Sequence, residues 1–234
     1  MQAAPARLRR YGPGLAQSPH AHEGAHLSLV LAGDFEETVG RRTDRAGFGR
    51  LGVRPEGLRH AVRFGRRGAL VLTLDLGGAD APRDPAWTPP LPEAQLSALV
   101  PLLFEGGRLG QDAAWDLKAL ASADVAPERP PATWLTDLYE ALIEAPAAAS
   151  VEALAEQAGR HRVHVSRSFA AAFGRPIAVV RRQAMLDQAL CALASGQSAV
   201  QAALDAGFYD QSHFSRVCRQ VTGLAPRALM ARAA

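Results

Sequence analysis

The sequence predicts an α+β protein, with strands in its N-terminal third and helices in the remainder. Two observations predict this fold class. Between residues 8 and 76, short apolar runs are separated by Gly, Pro and polar turns, a pattern typical of a β-sandwich or small barrel. From residue 92 onward, apolar residues recur at the three- and four-residue spacings of amphipathic helices. Strands and helices do not alternate along the chain, so a parallel sheet is not expected.

Composition limits the cellular setting that is expected for such a protein. The chain has 234 residues, of which 48% are hydrophobic, enough to bury one or two cores. Its two cysteines, Cys191 and Cys218, fall on apolar faces of predicted helices, and two are too few for a disulfide framework. No apolar stretch is long enough for a membrane span or a signal peptide. We therefore expect a reduced, cytoplasmic setting and no membrane partner.

Three domains are expected along the chain. Residues 1–80 form the β domain, in which runs at 27–31, 35–39 and 69–74 are the clearest strands. Residues 81–129 are a linker and a helical connector: a Pro-rich stretch is followed by apolar stripes that predict helices at 92–104 and 112–121. Residues 130–234 are all α and begin with a predicted helix at 132–144, after a second Pro-rich boundary.

The C-terminal domain contains one motif twice, at residues 151–174 and 199–223. Each copy reads as a helix, a turn containing Gly, and a second helix, which is the pattern of a helix-turn-helix. Gly159 and Gly207 end the first helices, where a residue without Cβ accepts a left-handed conformation. Asp210 is expected to cap the second helix of the second copy. A helix at residues 177–195 joins the two copies.

The second helix of each copy has an apolar stripe and a polar face. Arg167 and Arg216 occupy the same place in the two copies, directly after a serine. Between residues 160 and 234 there are ten Arg and three Asp, so this segment is strongly basic while the rest of the chain is net acidic. A basic segment on an acidic chain indicates contact with nucleic acid phosphates.

These motifs resemble those of a known family. Residues 207–216, GFYDQSHFSR, followed by TGLAP at 222–226, resemble the signature of the AraC/XylS family of bacterial transcription regulators. Residues 154–174 resemble the first helix-turn-helix of that family, and 177–195 its joining helix. The similarity covers about residues 131–234. Two positions depart from the family pattern: Cys218 stands where Phe is usual, and Leu229–Met230 where an aromatic residue and Arg are usual.

The resemblance implies a sequence-specific transcription regulator that binds double-stranded DNA, with RNA polymerase as a further partner if it is an activator. Arg167 and Arg216 are the best candidates for bidentate guanine contacts, whereas Arg181, Arg182 and Arg219 are expected to bind phosphate. In this family the connector helices often form a homodimer, but packing on their own β domain is an equal alternative. The predicted DNA-binding residues are Val163, His164, Ser166, Arg167, Arg181, Arg182, Gln211, Ser212, His213, Ser215, Arg216 and Arg219.

The N-terminal domain resembles a cupin, the jelly-roll barrel that many AraC-type regulators carry as a sensor. Two stretches have the spacing of the cupin motifs. The first has His26 where Glu is usual, and the second has Phe64 where Asn is usual. The motif residues are Gly14, His20, His22, His26 and Gly33 in the first stretch, and Gly49, Pro55, Gly57 and His60 in the second.

This second resemblance implies a metal site with His20, His22, His26 and His60 as ligands. Four neutral imidazoles suit Zn²⁺, Cu²⁺, Ni²⁺ or Fe²⁺. Two alternatives stay open. The histidines could line a pocket for a small organic effector without metal, or the domain could be a metal-dependent enzyme. Four imidazoles fill a tetrahedral site, whereas catalytic metals keep one position open, so we expect a sensor and not an enzyme.

Overall fold

The computed structural model describes residues 6–76, 85–105 and 131–233. The predicted α+β fold is confirmed: within these ranges a seven-stranded antiparallel sheet comes first and helices follow. The strands are β1 (Arg7–Tyr11), β2 (Ala16–His20), β3 (Ala25–Val39), β4 (Arg42–Gly47), β5 (Leu51–Arg54), β6 (His60–Leu76) and β7 (Ala86–Trp87). β7 lies in the predicted linker and pairs with β5.

The sheet is organised around β3 and β6, which have 15 and 17 residues and pair along most of their length. β1 and β2 pair with β6, while β4 and β5 pair with β3. Strands of this length have to bend if the sheet is to curl around a core. The register of β3 against β6 shifts twice between Val30 and Phe35, and this is where the bend lies.

Two glycines face each other at this bend. Gly33 and Gly68 have φ angles of 72° and 70°, in the left-handed region that favours glycine. A Cβ on Gly33 would lie 1.9 Å from the carbonyl oxygen of Gly68. The two backbones can approach this closely only because Gly33 has no side chain, whereas a Cβ on Gly68 would lie 2.2 Å from the carbonyl oxygen of Tyr11.

Side chains on β3 alternate between two environments. Leu27, Leu29 and Leu31 belong to a large apolar cluster that also contains residues of the helices. Ser28 and Val30, which point the other way, face a cavity and a smaller aromatic cluster around Phe35 and Phe64. The sheet thus carries the helices on one face and encloses a cavity on the other.

The helices begin and end close to the predicted positions. They are α1 (Glu93–Phe104), α2 (Thr133–Glu144), α3 (Val151–Gln157), α4 (Arg162–Phe173), α5 (Ile177–Ala194), α6 (Ala199–Asp205), α7 (Gln211–Thr222) and α8 (Pro226–Met230). Asp210 caps α7 as predicted, because its Oδ1 accepts a hydrogen bond from the backbone N–H of His213 at 2.7 Å. The predicted left-handed turns are also confirmed, with φ angles of 60° at Gly159 and 92° at Gly207. Among the described residues, no helix is long and apolar enough to cross a membrane.

The helices pack on the sheet mainly through α5, which contacts β3 and β6, and α1 and α7 belong to the same buried cluster. Val100 of α1, Leu186 of α5 and Phe214 of α7 share one buried cluster with Leu72 of β6. The connector helix α1 therefore packs against its own chain, between the sheet and the second helix-turn-helix. The predicted helix at 112–121 lies outside the described residues. A separate core around Phe169 holds together α2, α3, α4 and the start of α5.

The glycine bend supplies a first testable prediction. We expect Gly33→Ala to lower the free energy of unfolding by about 3 kcal/mol or more, because backbone strain adds to a steric overlap with Gly68. The control is Gly40→Ala: Gly40 has a φ of 59°, but a Cβ added there would have no other atom within 4 Å, so only the strain of about 1 to 2 kcal/mol is expected. Urea unfolding of the three proteins measures both values. Equal losses in the two variants would show that the close approach at the bend is unimportant.

Candidate DNA interface and histidine cavity

The polar faces of α4 and α7 are accessible. Arg167 and Arg216 are exposed or half-buried on the second helix of their units, as the repeat predicts. Apolar residues such as Phe169 and Phe214 anchor the opposite faces in the two cores. The predicted base-reading or backbone-contacting residues that are exposed or half-buried on these helices are Val163, His164, Ser166, Arg167, Gln211, Ser212, His213, Ser215, Arg216 and Arg219.

Arg181 and Arg182, which the sequence suggested as phosphate contacts, make contacts within the protein. Arg181 donates from Nε to the carbonyl oxygen of Pro146 at 2.7 Å, which holds α5 against the loop between α2 and α3. Arg182 donates from Nη2 to both carboxylate oxygens of Glu93, at 2.9 and 2.7 Å. Both arginines are half-buried, and they join α5 to neighbouring elements.

The first helix-turn-helix has an aromatic support that the sequence did not suggest. Trp134 of α2 stacks on His164, with 5.9 Å between ring centroids and 19° between ring planes. The guanidinium of Arg160 lies 4.6 Å from the Trp134 ring centroid. Arg162, the first residue of α4, is also exposed and was not among the predicted DNA-binding residues. The basic charge count of the segment includes both arginines and could have pointed to them.

A cavity of about 590 Å³ opens on the face of the sheet opposite the helices. All four histidines of the cupin-like motifs line it, which brings together residues from β2, β3, β6 and the loop after β2. Its other lining residues are Arg7, Arg9, Tyr11, Gln17, Glu23, Gly24, Ser28, Phe35, Glu37, Arg54, Val62, Phe64, Val71, Thr73 and Asp75.

Three of the four histidines form a compact group. His20, His22 and His60 each offer a ring nitrogen, and these three nitrogens lie within 4.8 Å of one another. His20 and His60 are direct neighbours across the pairing of β2 with β6. His26 is not part of the group. Its ring centroid is 4.6 Å from that of His22, and the ring is buried at the edge of the cavity.

His60 is oriented by a buried carboxylate. Its Nδ1 donates to Oε1 of Glu37 at 2.5 Å, because an ionised carboxylate can only accept, and Nε2 is therefore the ring nitrogen that is left for a ligand. That Nε2 is buried and has no hydrogen-bond partner among the described residues. A buried polar atom without a partner is costly unless something binds it. A carboxylate behind a histidine is also the usual outer support of a metal ligand.

Glu37 is held in place by three donors, and no sequence motif pointed to it. Its Oε1 also accepts from Nε of Arg54 at 2.5 Å, and its Oε2 accepts from Nε1 of Trp87 at 2.9 Å. The Arg54 guanidinium lies over the Trp87 ring, 4.1 Å from the centroid. The signal available in the sequence was weak: an acidic residue in a predicted strand, on the same side as Phe35.

The electrostatics of the cavity favour neutral imidazoles and an ionised carboxylate. Burial lowers the pKa of His26 to about 4, and burial together with the neighbouring His60, His20 and Arg9 lowers the pKa of His22. Burial alone would raise the pKa of Glu37, but the hydrogen bond from His60 and the charge of Arg54 bring that pKa down to about 2. The lowered pKa values favour uncharged rings at His22 and His26, and imidazole nitrogens are donors that fit a transition metal and not Mg²⁺ or Ca²⁺.

The buried ion pair behind the histidines gives a second prediction. Glu37→Ala leaves Arg54, which is 2% exposed, without a counter-charge, and we expect a loss of about 3 to 5 kcal/mol in the free energy of unfolding. The control is Asp44→Ala, which removes a pair with Arg42 whose side chains are 32% and 71% exposed, and should cost less than about 1 kcal/mol. Denaturant unfolding at neutral pH compares the two, and similar losses would contradict the structural role of Glu37.

One comparison with known proteins assigns a family to the C-terminal region. A family model described as a helix-turn-helix domain matches residues 154–232, which span α3 to α8. A search of curated proteins finds no match.

Three solved structures illustrate what the chain is similar to. The C-terminal domain of AraT, a response regulator from Geobacillus stearothermophilus, has 16% identity and a TM-score of 0.42, with 44% of this chain and 88% of that chain covered. ToxT from Vibrio cholerae has 8% identity and a TM-score of 0.41, with 97% of both chains covered. Oxalate decarboxylase from Bacillus subtilis has 30% identity and a TM-score of 0.27, with 31% of this chain and 20% of that chain covered.

Proposed function

We propose that the protein is a sequence-specific transcription regulator of the AraC type, on the premise that residues 154–232 match a helix-turn-helix domain. The observation that carries the proposal is the duplicated unit with an accessible arginine at the same place in each second helix, Arg167 in α4 and Arg216 in α7. The two helices would enter successive major-groove segments, about 34 Å apart along the duplex. Double-stranded DNA is the partner, joined by RNA polymerase if the protein activates transcription.

Each of the three predicted domains would have its own function. Residues 1–80 would sense a ligand, residues 81–129 would connect, and residues 130–234 would bind DNA. Two contacts support communication between these parts. Glu93 of the connector is bound by Arg182 of α5, and Gly33 of the sheet donates its N–H to Asp187 of the same helix at 2.5 Å. A movement of the sheet or of α1 would thus be transmitted directly to α5, the helix that joins the two DNA-binding units.

We also propose that the β domain holds a transition metal, such as zinc, through His20, His22 and His60. The partnerless, buried Nε2 of His60 supports this more than any other feature, since a cation would satisfy it. Glu37 would fix the ring orientation of His60, and the metal would supply a Lewis acid with a free coordination position.

A metal-dependent enzyme is the second candidate. The observation that favours it is the three-histidine group: because His26 lies outside that group, three residues would hold the metal, which is the number of protein ligands in catalytic zinc sites. A sensor binds its ligand and releases it unchanged, whereas an enzyme converts it. Recovery of a bound ligand in unaltered form from the metal-loaded protein would therefore favour the sensor.

Base reading by Arg216 gives the third prediction. We expect Arg216→Ala to weaken binding to selected sites by about 1 to 3 kcal/mol and to relax the preference at one base pair, because a bidentate guanine contact is lost. Sites are first selected from a random duplex pool with the unaltered protein, and fluorescence anisotropy then compares selected with random duplexes.

The matched control is Arg41→Ala, which removes an exposed arginine from the turn between β3 and β4 and should leave both affinities unchanged. An equal loss on selected and random duplexes for Arg216→Ala would mean that Arg216 contacts phosphate and not a base. A salt series on the unaltered protein provides the wider test, since phosphate contacts require that affinity fall steeply with salt.

Metal binding gives the fourth prediction. We expect the purified protein to bind Co²⁺ stoichiometrically, with the visible absorption of a cobalt–imidazole site, and the double variant His20→Ala/His60→Ala to lose that absorption. His164→Ala, which changes a histidine of α4 outside the cavity, should bind cobalt like the unaltered protein. Absence of cobalt absorption in the unaltered protein, or its persistence in the double variant, would overturn the metal site and leave the DNA-binding proposal intact.

A further inference from the structure

The cavity has a polar part and an aromatic part. The three histidines lie at the polar part, together with the guanidinium of Arg9. Tyr11 and Phe64 stack in the aromatic part, with centroids 4.3 Å apart, and Phe35 lies 5.4 Å from Phe64. All three rings contribute to the lining. A ligand that used the whole space would therefore be polar at one end and apolar at the other.

Arg9 is placed in the cavity by the alternation of β1. Leu8 is buried in the apolar cluster on the helix side, so Arg7, Arg9 and Tyr11 point to the opposite side and line the cavity. Arg7 lies 3.6 Å from the carboxylate of Asp75. For Arg9 the described residues provide no hydrogen bond and no ion pair.

The charge balance of the cavity lining favours binding of an anion once a metal dication is present. Three arginines and three carboxylates line the cavity, and two of these pairs are formed, Arg7 with Asp75 and Arg54 with Glu37. Arg9 and Glu23, which are both exposed, remain. The formal charges of the lining therefore balance without a metal. A dication held by neutral imidazoles would add two positive charges that no group in the described lining neutralises.

We propose that the cavity binds a small organic carboxylate with an apolar body, whose carboxylate contacts both Arg9 and the metal at the three histidines. The proposal rests on the metal-binding part of the proposed function. The apolar body packs against Tyr11, Phe35 and Phe64. The open coordination position accepts the carboxylate oxygen, and the Arg9 guanidinium donates to the same group. The cavity volume of about 590 Å³ leaves room for such a ligand.

The aromatic part of the cavity should select ligands by their apolar surface as well as by their charge. An inorganic anion or a very short carboxylate would satisfy Arg9 and the metal but would leave the aromatic wall in contact with water. A ring-sized apolar body removes that surface from water, at about 25 cal/mol for each Å² buried. The cavity should therefore favour a carboxylate attached to an apolar body over acetate, and over a neutral molecule of the same shape.

The experiment uses the full-length protein loaded with Co²⁺ and three probes: benzoate, benzamide and acetate. Titration calorimetry measures affinity, and the visible absorption of cobalt reports coordination. We expect benzoate to bind and to change the cobalt spectrum. Benzamide, which lacks the charge, and acetate, which lacks the ring, should each bind at least about tenfold more weakly.

Two variants test whether Arg9 contacts the carboxylate of the ligand. Arg9→Gln should weaken benzoate binding by about tenfold or more, because a charge-assisted contact is lost. Arg10→Gln is the matched control, since Arg10 is exposed on the same strand but points away from the cavity and should leave binding unchanged. Equal affinity for benzoate and benzamide, or equal affinity of the two variants, would overturn the proposal.

Cobalt loading, checked by absorption before any probe is added, separates this proposal from the one on which it rests. A protein that takes up cobalt but does not bind benzoate contradicts the carboxylate proposal alone. A protein that does not take up cobalt contradicts the metal site and, with it, this proposal. Selective benzoate binding that leaves the cobalt spectrum unchanged contradicts the contact with the metal.

Discussion

The contact on which the two halves of the molecule depend is the one between Asp187 of α5 and the bend of the sheet. One carboxylate oxygen accepts the backbone N–H of Gly33, and the other lies 3.3 Å from Nη2 of Arg67. Burial raises the pKa of Asp187, while Arg67 and the Gly33 N–H counteract that effect. A buried carboxylate is tolerated only with such partners. The bend that shapes the cavity is thus hydrogen-bonded to the helix that joins the DNA-binding units.

The two-residue repeat of β-strands places the two proposed functions on opposite faces of one sheet. On β3, Leu27 and Leu29 pack toward the helices, whereas His26 and Ser28 line the cavity. β1 does the same with Leu8 and Arg9. A ligand that shifts the inner face of these strands would also shift residues that pack on α5. This geometry gives a ligand in the cavity a short physical path to the DNA-binding domain.

The histidine site depends on residues outside any motif. Glu37 sets the tautomer of His60 by accepting its Nδ1–H, and Glu37 itself is fixed by Arg54 and Trp87. Trp87 comes from β7, a two-residue strand in a stretch where the sequence suggests only a linker. The site is therefore rigid because of a buried network contributed by β3, β5, β6 and β7, which explains how one ring nitrogen can remain buried without a partner.

Sequence by itself determined the local features of this protein. The duplicated helix-turn-helix, the cap at Asp210 and the turns at Gly159 and Gly207 follow from propensities and spacings within a few residues, and the structure confirms them. The resemblance of the histidine spacing to the cupin motifs implied that the four side chains would meet, and strand periodicity added only that His20 and His22 would share a face. Only the tertiary structure decided which three of the four have ring nitrogens close enough to hold one metal ion.

Tertiary structure also decided which arginines have partners within the protein. Arg182 and Arg216 both lie on helices of a basic domain, and the sequence predicted a DNA contact for each, with phosphate for Arg182 and a base for Arg216. Arg216 lies on an accessible face, whereas Arg182 faces Glu93, a residue 89 positions earlier in the chain. The physical reason is that charge partners and burial come from contacts between distant segments. Local patterns specify the elements, and only their packing specifies which polar groups are left for a ligand.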